Sequence, residues 1–186
     1  MKKPYVIGIA GGSASGKTTL CEQLKNALTG HKLATLHMDH YYRPSDIRPP
    51  IPAPITKKLY QDDNHPTAID LPKLKQDLSE AIARGEADII IVEGLFTLYD
   101  DDICGMLDLK LYVECRADER IVRRIKRNLN FGLSFDEISD VYLDMVRYRH
   151  DEYVEPSKWK ADLIINGSHF TGKALEIIVR GYFAQL

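Results

Sequence analysis

Residues 5–20 read YVIGIAGGSASGKTTL, and this stretch decides the fold. Tyr5 to Ala10 is an apolar run of strand length. Lys17 to Leu28 carries apolar residues at helical spacing: Leu20, Leu24, Ala27 and Leu28. Between the two lie Gly11, Gly12, Ser13, Ala14, Ser15, Gly16, Lys17 and Thr18, the pattern G-x-x-x-x-G-K-[ST]. A polyphosphate must be held without bulky side chains in the way. Glycines let the chain wrap so that successive N–H groups point inward, and the helix start adds its partial positive charge. In such a loop the lysine, Lys17, reaches the outer phosphates and the Thr18 hydroxyl stands where Mg²⁺ binds.

Working outward, short apolar runs alternate with helical patterns. Leu33–Met38, Asp88–Val92, Leu109–Val113 and Leu163–Ile165 read as strands. Leu71–Ala83, Ala117–Leu129, a segment opened by Ser134 with Glu137 as a capping box, and Lys173–Phe183 read as helices. The alternation predicts an α/β fold: a parallel sheet between two helical layers. One segment breaks the rhythm. Pro44, Pro49, Pro50, Pro52, Pro54 and Pro66 crowd residues 42–67, which can be neither helix nor central strand. A loop this long inside a domain is commonly functional, or else a tolerated surface insertion.

Composition narrows the function classes. With 186 residues, one domain spanning 1–186 is expected. A formal net charge of -2 argues against a broadly basic nucleic-acid coat, and no apolar run is long enough for a membrane span. The partner expected is a small molecule, not nucleic acid or membrane; a homo-oligomer stays open. Cys21, Cys104 and Cys115 form no C-x-x-C pair, so free thiols and a cytoplasmic location are expected.

Three further features carry candidate chemistry. Glu93 ends the apolar run Ile89–Val92, where ligands of parallel sheets gather, and is placed to meet Mg²⁺ or its water. Asp39 ends the second strand; it reads equally as a proton acceptor for phosphoryl transfer or as a turn cap. Arg120, Arg123, Arg124 and Arg127 recur at helical spacing, as a phosphate clamp or as a solvated face.

Together the blocks GIAGGSASGKTTL (8–20), MDHYYRP (38–44), NHPTAID (64–70), IIIVEGL (89–95), LDLKLYVECRADERIVRRIKR (107–127) and YRHDEYVEPSKWKADLIING (148–167) resemble the uridine kinase family of P-loop kinases, related to nicotinamide riboside kinases and phosphoribulokinase. The resemblance implies a three-layer P-loop NTPase fold with a five-stranded parallel sheet flanked by helices. It implies an ATP-dependent kinase that phosphorylates a hydroxyl of a nucleoside or ribosyl-type metabolite. The alternatives are a non-nucleoside alcohol, such as a sugar phosphate or vitamin precursor, and a nucleotide-dependent regulatory NTPase.

By the same resemblance, ATP contacts fall on residues Gly11, Gly12, Ser13, Ala14, Ser15, Gly16, Lys17, Thr18, Thr19 and Arg123. Mg²⁺ falls near Thr18, Asp39 and Glu93. Catalysis falls on Asp39, Lys17, Arg124 and Arg127, and acceptor binding on Asp39, Tyr41, Asn64, His65 and Arg124. A mobile lid is expected over residues 116–135 and an acceptor-side loop over 40–70.

The chain also departs from the pattern. The family's pyrimidine-cradling hairpin is missing, because only Arg84-Gly85-Glu86-Ala87 joins the third helix-strand pair. Phe-Asp-His-Pro becomes Asp63-Asn64-His65-Pro66, the lid's Arg-Gly-Arg-Asp becomes Phe131-Gly132-Leu133-Ser134, and a base-reading glutamine becomes Val141. Uridine is therefore expected to be a poor acceptor.

Overall fold

Strand β1 (Tyr5–Gly11) sits at the centre of the molecule, and its two neighbours explain its composition. It pairs in parallel with β5 (Ile89–Glu93) on one side and β6 (Leu109–Glu114) on the other. Strand β2 (Leu33–His37) joins outside β5, and β7 (Leu163–Asn166) outside β6. The order is β2-β5-β1-β6-β7, and every pairing is parallel. This computed structural model describes residues 3–169 and 171–183; both ends of the expected 1–186 domain, and Phe170, lie outside the described residues.

Because side chains alternate along a strand, each strand feeds two cores. Ile7, Ile9, Ile89, Ile91, Leu109 and Leu111 face one layer, where α1 (Lys17–Ala27) contributes Leu20 and Leu24 and α7 (Gly172–Phe183) contributes Ile178 and Phe183. Val6, Ala10, Ile90, Val92 and Tyr112 face the other, where α2 (Leu71–Arg84) contributes Leu74 and Leu78 and α3 (Asp101–Met106) contributes Ile103 and Cys104. Burial of each such aliphatic side chain stabilises by about 1.5–3 kcal/mol. The expected three-layer α/β architecture is the one observed.

Local signals set the helix ends. Asp70 caps α2 by accepting from the Lys73 N–H, and Gly85 closes it in the left-handed region at φ 60°. Helix α4 (Ala117–Leu129) follows β6. Helix α5 (Phe135–Val141) opens with the Ser134–Glu137 capping box that the sequence announces. Beyond it the helical run continues through π turns at Tyr142–Val146 and His150–Val154, with α6 (Arg147–Arg149) between them, and ends in a 3₁₀ stretch over Glu155–Lys160.

The proline-rich segment is ordered by its attachments. It holds 3₁₀ turns at Ser45–Ile47 and Pro66–Ala68 and a two-residue antiparallel pairing of β3 (Ile51–Pro52) with β4 (Leu59–Tyr60). The Thr56 hydroxyl and the Tyr60 hydroxyl both donate to Asp144 Oδ2, at 3.1 and 2.7 Å, so the hairpin is tied to the first π turn. Further along, Arg149 Nε donates to Asp62 Oδ2 at 2.7 Å, and the Asp62 carboxylate is fully buried. Its other oxygen accepts from the Asn64 N–H at 2.9 Å. Asp62→Ala would leave the Arg149 Nε without its partner while Nη1 keeps Glu152 at 2.7 Å, and is expected to cost about 1–3 kcal/mol of folding stability. Urea denaturation measures it; a loss below about 1 kcal/mol would show that the pair does not hold the segment.

Candidate active site

The turn between β1 and α1 has the geometry that phosphate binding asks of it. Gly11 and Gly16 take φ of 143° and 108°, in the region that favours glycine, and Ala14 takes 63°. The Ser15 N–H returns to the Gly12 carbonyl at 3.0 Å, which closes the loop. Lys17 Nζ donates to the same carbonyl at 3.1 Å. Loss of water around this ammonium pushes its pKa down, while the carboxylates of Glu93 and Asp39 push it back up.

Around the loop opens a cavity of about 940 Å³. It is lined by Ser13, Ala14, Gly16, Lys17, Thr18 and Thr19 of the loop and the start of α1, by Asp39 and Glu93 at strand ends, and by Arg123, Arg124 and Arg127 of α4. Asn64, Tyr42, Arg48 and Asp63 line it as well. Most of the residues expected to bind nucleotide, metal or acceptor thus meet in one place. Gly11 and Ser15 are buried beneath the loop, and Gly12 lines a separate cavity.

Two expected acceptor contacts do not line this cavity. Tyr41 ends the 3₁₀ turn Met38–Tyr41 and turns toward α2, where its hydroxyl donates to Asp77 Oδ2 at 3.1 Å. Burial, then that bond, pushes its pKa up to about 12. His65 is held by Thr67 at 2.7 Å and by the Tyr153 hydroxyl at 3.0 Å, so it fixes the loop. Their motif neighbours Asp39 and Asn64 face the cavity; these two side chains do not. Arg120 also leaves the expected phosphate stripe: its Nε donates to the Cys115 carbonyl, and it lines the separate cavity with His150.

The other three arginines reach the loop. Arg124 Nη1 donates to Ser13 Oγ at 2.9 Å and Arg127 Nη2 to the same oxygen at 3.4 Å. Arg123 Nη1 donates to the Gly167 carbonyl at 2.9 Å. Burial, and next the charge of Arg127, pull the Arg124 pKa down. Two guanidiniums on one serine leave that part of the cavity short of negative charge, which suits a polyphosphate.

At the strand ends, Thr18 Oγ1 donates to Glu93 Oε1 at 3.3 Å, and His37 Nδ1 lies 3.1 Å from that same oxygen. Glu93 is 4% exposed, and its Oε2 is buried without a partner. An orphaned carboxylate oxygen beside a threonine hydroxyl fits a magnesium ion that keeps several waters. Among the described residues no group of three or more His, Cys, Asp or Glu side chains forms a protein-only metal cage. Magnesium bound through phosphates needs no such cage.

His37 escaped the sequence reading, because only the β2–β5 register sets it opposite Glu93. Arg48 escaped it too. The available signal was an arginine directly before Pro49, a position biased toward extended backbone; Arg48 adopts φ -100°, ψ 116°.

Fold and cavity define a P-loop phosphotransferase. Comparison with known proteins places it more closely. Residues 53–170 match the Phosphoribulokinase / Uridine kinase family. A uridine kinase from Bacillus thuringiensis (strain Al Hakam) is 33% identical over 200 residues, covering 95% of this chain and 92% of the relative. Among solved structures, phosphoribulokinase from Rhodobacter spheroides superposes with a TM-score of 0.64 at 16% identity, over 89% of this chain and 71% of that one. A possible uridine kinase from Bacillus stearothermophilus gives 0.60 at 18% identity, over 88% and 89%. The chain belongs to the phosphoribulokinase/uridine kinase family and is a phosphotransferase that acts on an alcohol acceptor.

Lys17→Ala removes the ammonium from the loop without touching either core. It is expected to lower turnover by roughly 10²–10³ with an unchanged melting temperature. Turnover close to that of the unaltered protein would refute the placing of the phosphates on this loop.

Proposed function

We propose that the chain transfers the γ-phosphate of ATP, with Mg²⁺, to a hydroxyl of a nucleoside or ribosyl-type metabolite in the cytoplasm. The observation that carries this reading is the position of Asp39. Its carboxylate opens into the cavity that also holds Lys17, Thr18, Glu93 and the arginines of α4. Lys17, Arg124 and Arg127 hold the phosphates from below and from one side. Asp39 accepts the proton of the acceptor hydroxyl as its oxygen bonds to the γ-phosphorus. The bond to the bridging oxygen breaks, and ADP leaves with its new charge facing the cations. Magnesium, when bound, neutralises charge across the outer phosphates. Thr18 and Glu93 would hold it, Glu93 through its free Oε2.

Asp39→Asn keeps the shape of the side chain and removes its basicity. Mg-ATP affinity by calorimetry is expected to stay within a few-fold, while acceptor phosphorylation falls by about 10²–10⁴. Parallel loss of nucleotide binding would assign Asp39 to the metal instead of the proton.

The nature of the acceptor follows from the groups available to read it. The alignment with the Bacillus uridine kinase spans 200 positions against 186 residues here, so the relative carries residues that this chain lacks. The short link Gly85–Asp88 and the residues Asn64, Leu133 and Val141 leave few groups to read a pyrimidine. This favours, as a second reading, an alcohol that is not a pyrimidine nucleoside. A panel of nucleosides, ribosides and small alcohols, read by ADP release, separates the readings. Uridine is expected to fall at least an order of magnitude below the best acceptor in kcat/KM. Uridine as the best substrate would reverse that expectation. ADP release that no acceptor stimulates would instead point to a regulatory NTPase.

A further inference from the structure

Asn64 lines the nucleotide cavity, yet among the described residues its side-chain amide has no hydrogen-bond partner. The residue is held through its backbone: its N–H donates to Asp62 Oδ1 at 2.9 Å, in the protein interior. Burial alternates along this stretch. Gln61 and Asp63 are exposed while Asp62 and Asn64 are buried, so the last two share the inward side of the segment. The second oxygen of the Asp62 carboxylate, a side chain 0% exposed, accepts from Arg149 Nε at 2.7 Å. Arg149 is held in turn. Its Nη1 donates to Glu152 Oε2 at 2.7 Å, and its guanidinium carbon lies 5.9 Å from the centre of the Tyr153 ring. The Tyr153 hydroxyl lies 3.0 Å from His65 Nε2. Asn64 is thus bracketed in the chain by Asp62 and His65, and both sides of the bracket rest on residues 149–153.

Such a bracket would anchor the whole proline-rich segment, but the chemistry of Asp62 is more specific. Two donors converge on it, one neutral and one charged. A buried donor left unmade costs about 1–3 kcal/mol, so each needs its own oxygen. A carboxylate has two; an amide has one and presents donors on its other side. Anchoring through Arg149 uses one oxygen only. The other is spent on the backbone of a residue that faces the cavity. Fixing the Asn64 N–H fixes its peptide plane, and with it the direction in which the side chain leaves the backbone.

We infer that Asp62 is a positioning residue for acceptor binding: paired with Arg149, it sets the Asn64 amide in the cavity without itself touching the acceptor. The inference rests on the reading above that an acceptor alcohol binds beside Asn64, and it deepens that reading.

Three variants separate positioning from anchoring. Arg149→Met breaks the ion pair and leaves Asp62 Oδ1 to Asn64. Asp62→Asn keeps the size of the side chain, but the charged Arg149 claims its single oxygen and its NH2 group is turned on the Asn64 N–H. In the double variant, Asp62→Asn with Arg149→Met, that oxygen is free for Asn64 again. D-Ribose, uridine and adenosine serve as acceptors, read by Mg-ATP-dependent ADP release, and the fastest of them is carried through the series. Asp62→Asn is expected to raise the KM of that acceptor roughly tenfold, with the KM for Mg-ATP within about twofold of the unaltered protein. Arg149→Met is expected to lower the melting temperature and leave the acceptor KM within about twofold, and the double variant to bring it back to that range. Equal rises of the acceptor KM in Asp62→Asn and Arg149→Met overturn the inference and reduce the pair to an anchor. An acceptor KM that does not move in Asp62→Asn, or a rise shared equally by Mg-ATP, overturns it as well; in all these outcomes the kinase reading stands. If Arg149→Met does not fold, the double variant decides, and an acceptor KM that stays high there overturns the inference. ADP release stimulated by none of the acceptors, with ATP shown to bind by calorimetry, overturns the acceptor reading and the inference with it.

Discussion

A polyphosphate must be gripped by backbone N–H groups, and the turn that offers them cannot carry side chains on its inner face. The rest of the molecule is packed against that requirement. A Cβ on Gly11 would lie 2.4 Å from the Val113 carbonyl oxygen, so β6 presses directly on the turn. A Cβ on Gly167 would lie 2.3 Å from the Ser15 carbonyl oxygen, so the loop after β7 presses from beyond it. The turn is therefore braced by a strand and by a loop that are both distant from it in sequence. It can hold its unusual dihedrals because the centre of a doubly covered sheet leaves it no alternative.

The proline-rich side of the cavity is built on the opposite plan. Residues 42–67 carry six prolines and bury little of their own, so their placing depends on contacts made elsewhere. Among the anchors are the Asp144 carboxylate, which takes both hairpin hydroxyls, and the buried Asp62–Arg149 pair. Both partners sit in the helical run that follows α5, and each lies in or beside a π turn. A π turn adds a residue to a helical turn and so rotates the side chains that follow it, a device that recurs near functional sites. The phosphate-loop side and the proline-rich side of the cavity thus have different origins. One is fixed by the sheet, the other by side-chain bonds that a few substitutions could redirect. This division suits a family whose members share a fold and differ in what they phosphorylate.

That division also explains how much was legible in the sequence. The five strands, the main helices and the phosphate turn were readable, because local pattern determines them: apolar runs, helical spacing, a glycine motif and a capping box. Asp39, Glu93 and Arg124 could be named because motif blocks carry them. One partner that orients Glu93 could not. His37 reaches it only through strand register, which no local pattern encodes. Tyr41 and His65 show the converse. Each stands beside a cavity residue in the chain, yet the 3₁₀ turns at Met38–Tyr41 and Pro66–Ala68 point neighbouring side chains in different directions. Helix α3, six residues long, was also invisible, since one turn and a half gives no periodicity to count.

The last constraint is water. A kinase that let water reach the γ-phosphorus would hydrolyse its nucleotide, so the cavity needs a roof as well as cations. Helix α4 supplies the cations. Its middle arginines bind Ser13, and just past its end Phe131 lines the same cavity while remaining 76% exposed. Phe131 and the neighbouring Leu133 are both exposed, so the segment just past α4 brings apolar surface to this side of the cavity. An apolar tip excludes water without competing for phosphate oxygens, but it cannot neutralise them. The charge must then come from elsewhere, and the arginines left on the cavity wall are Arg123, Arg124 and Arg127 of α4 and Arg48 of the proline-rich segment. With apolar surface just past α4 and arginines along the cavity wall, the exclusion of water and the supply of charge fall to different residues.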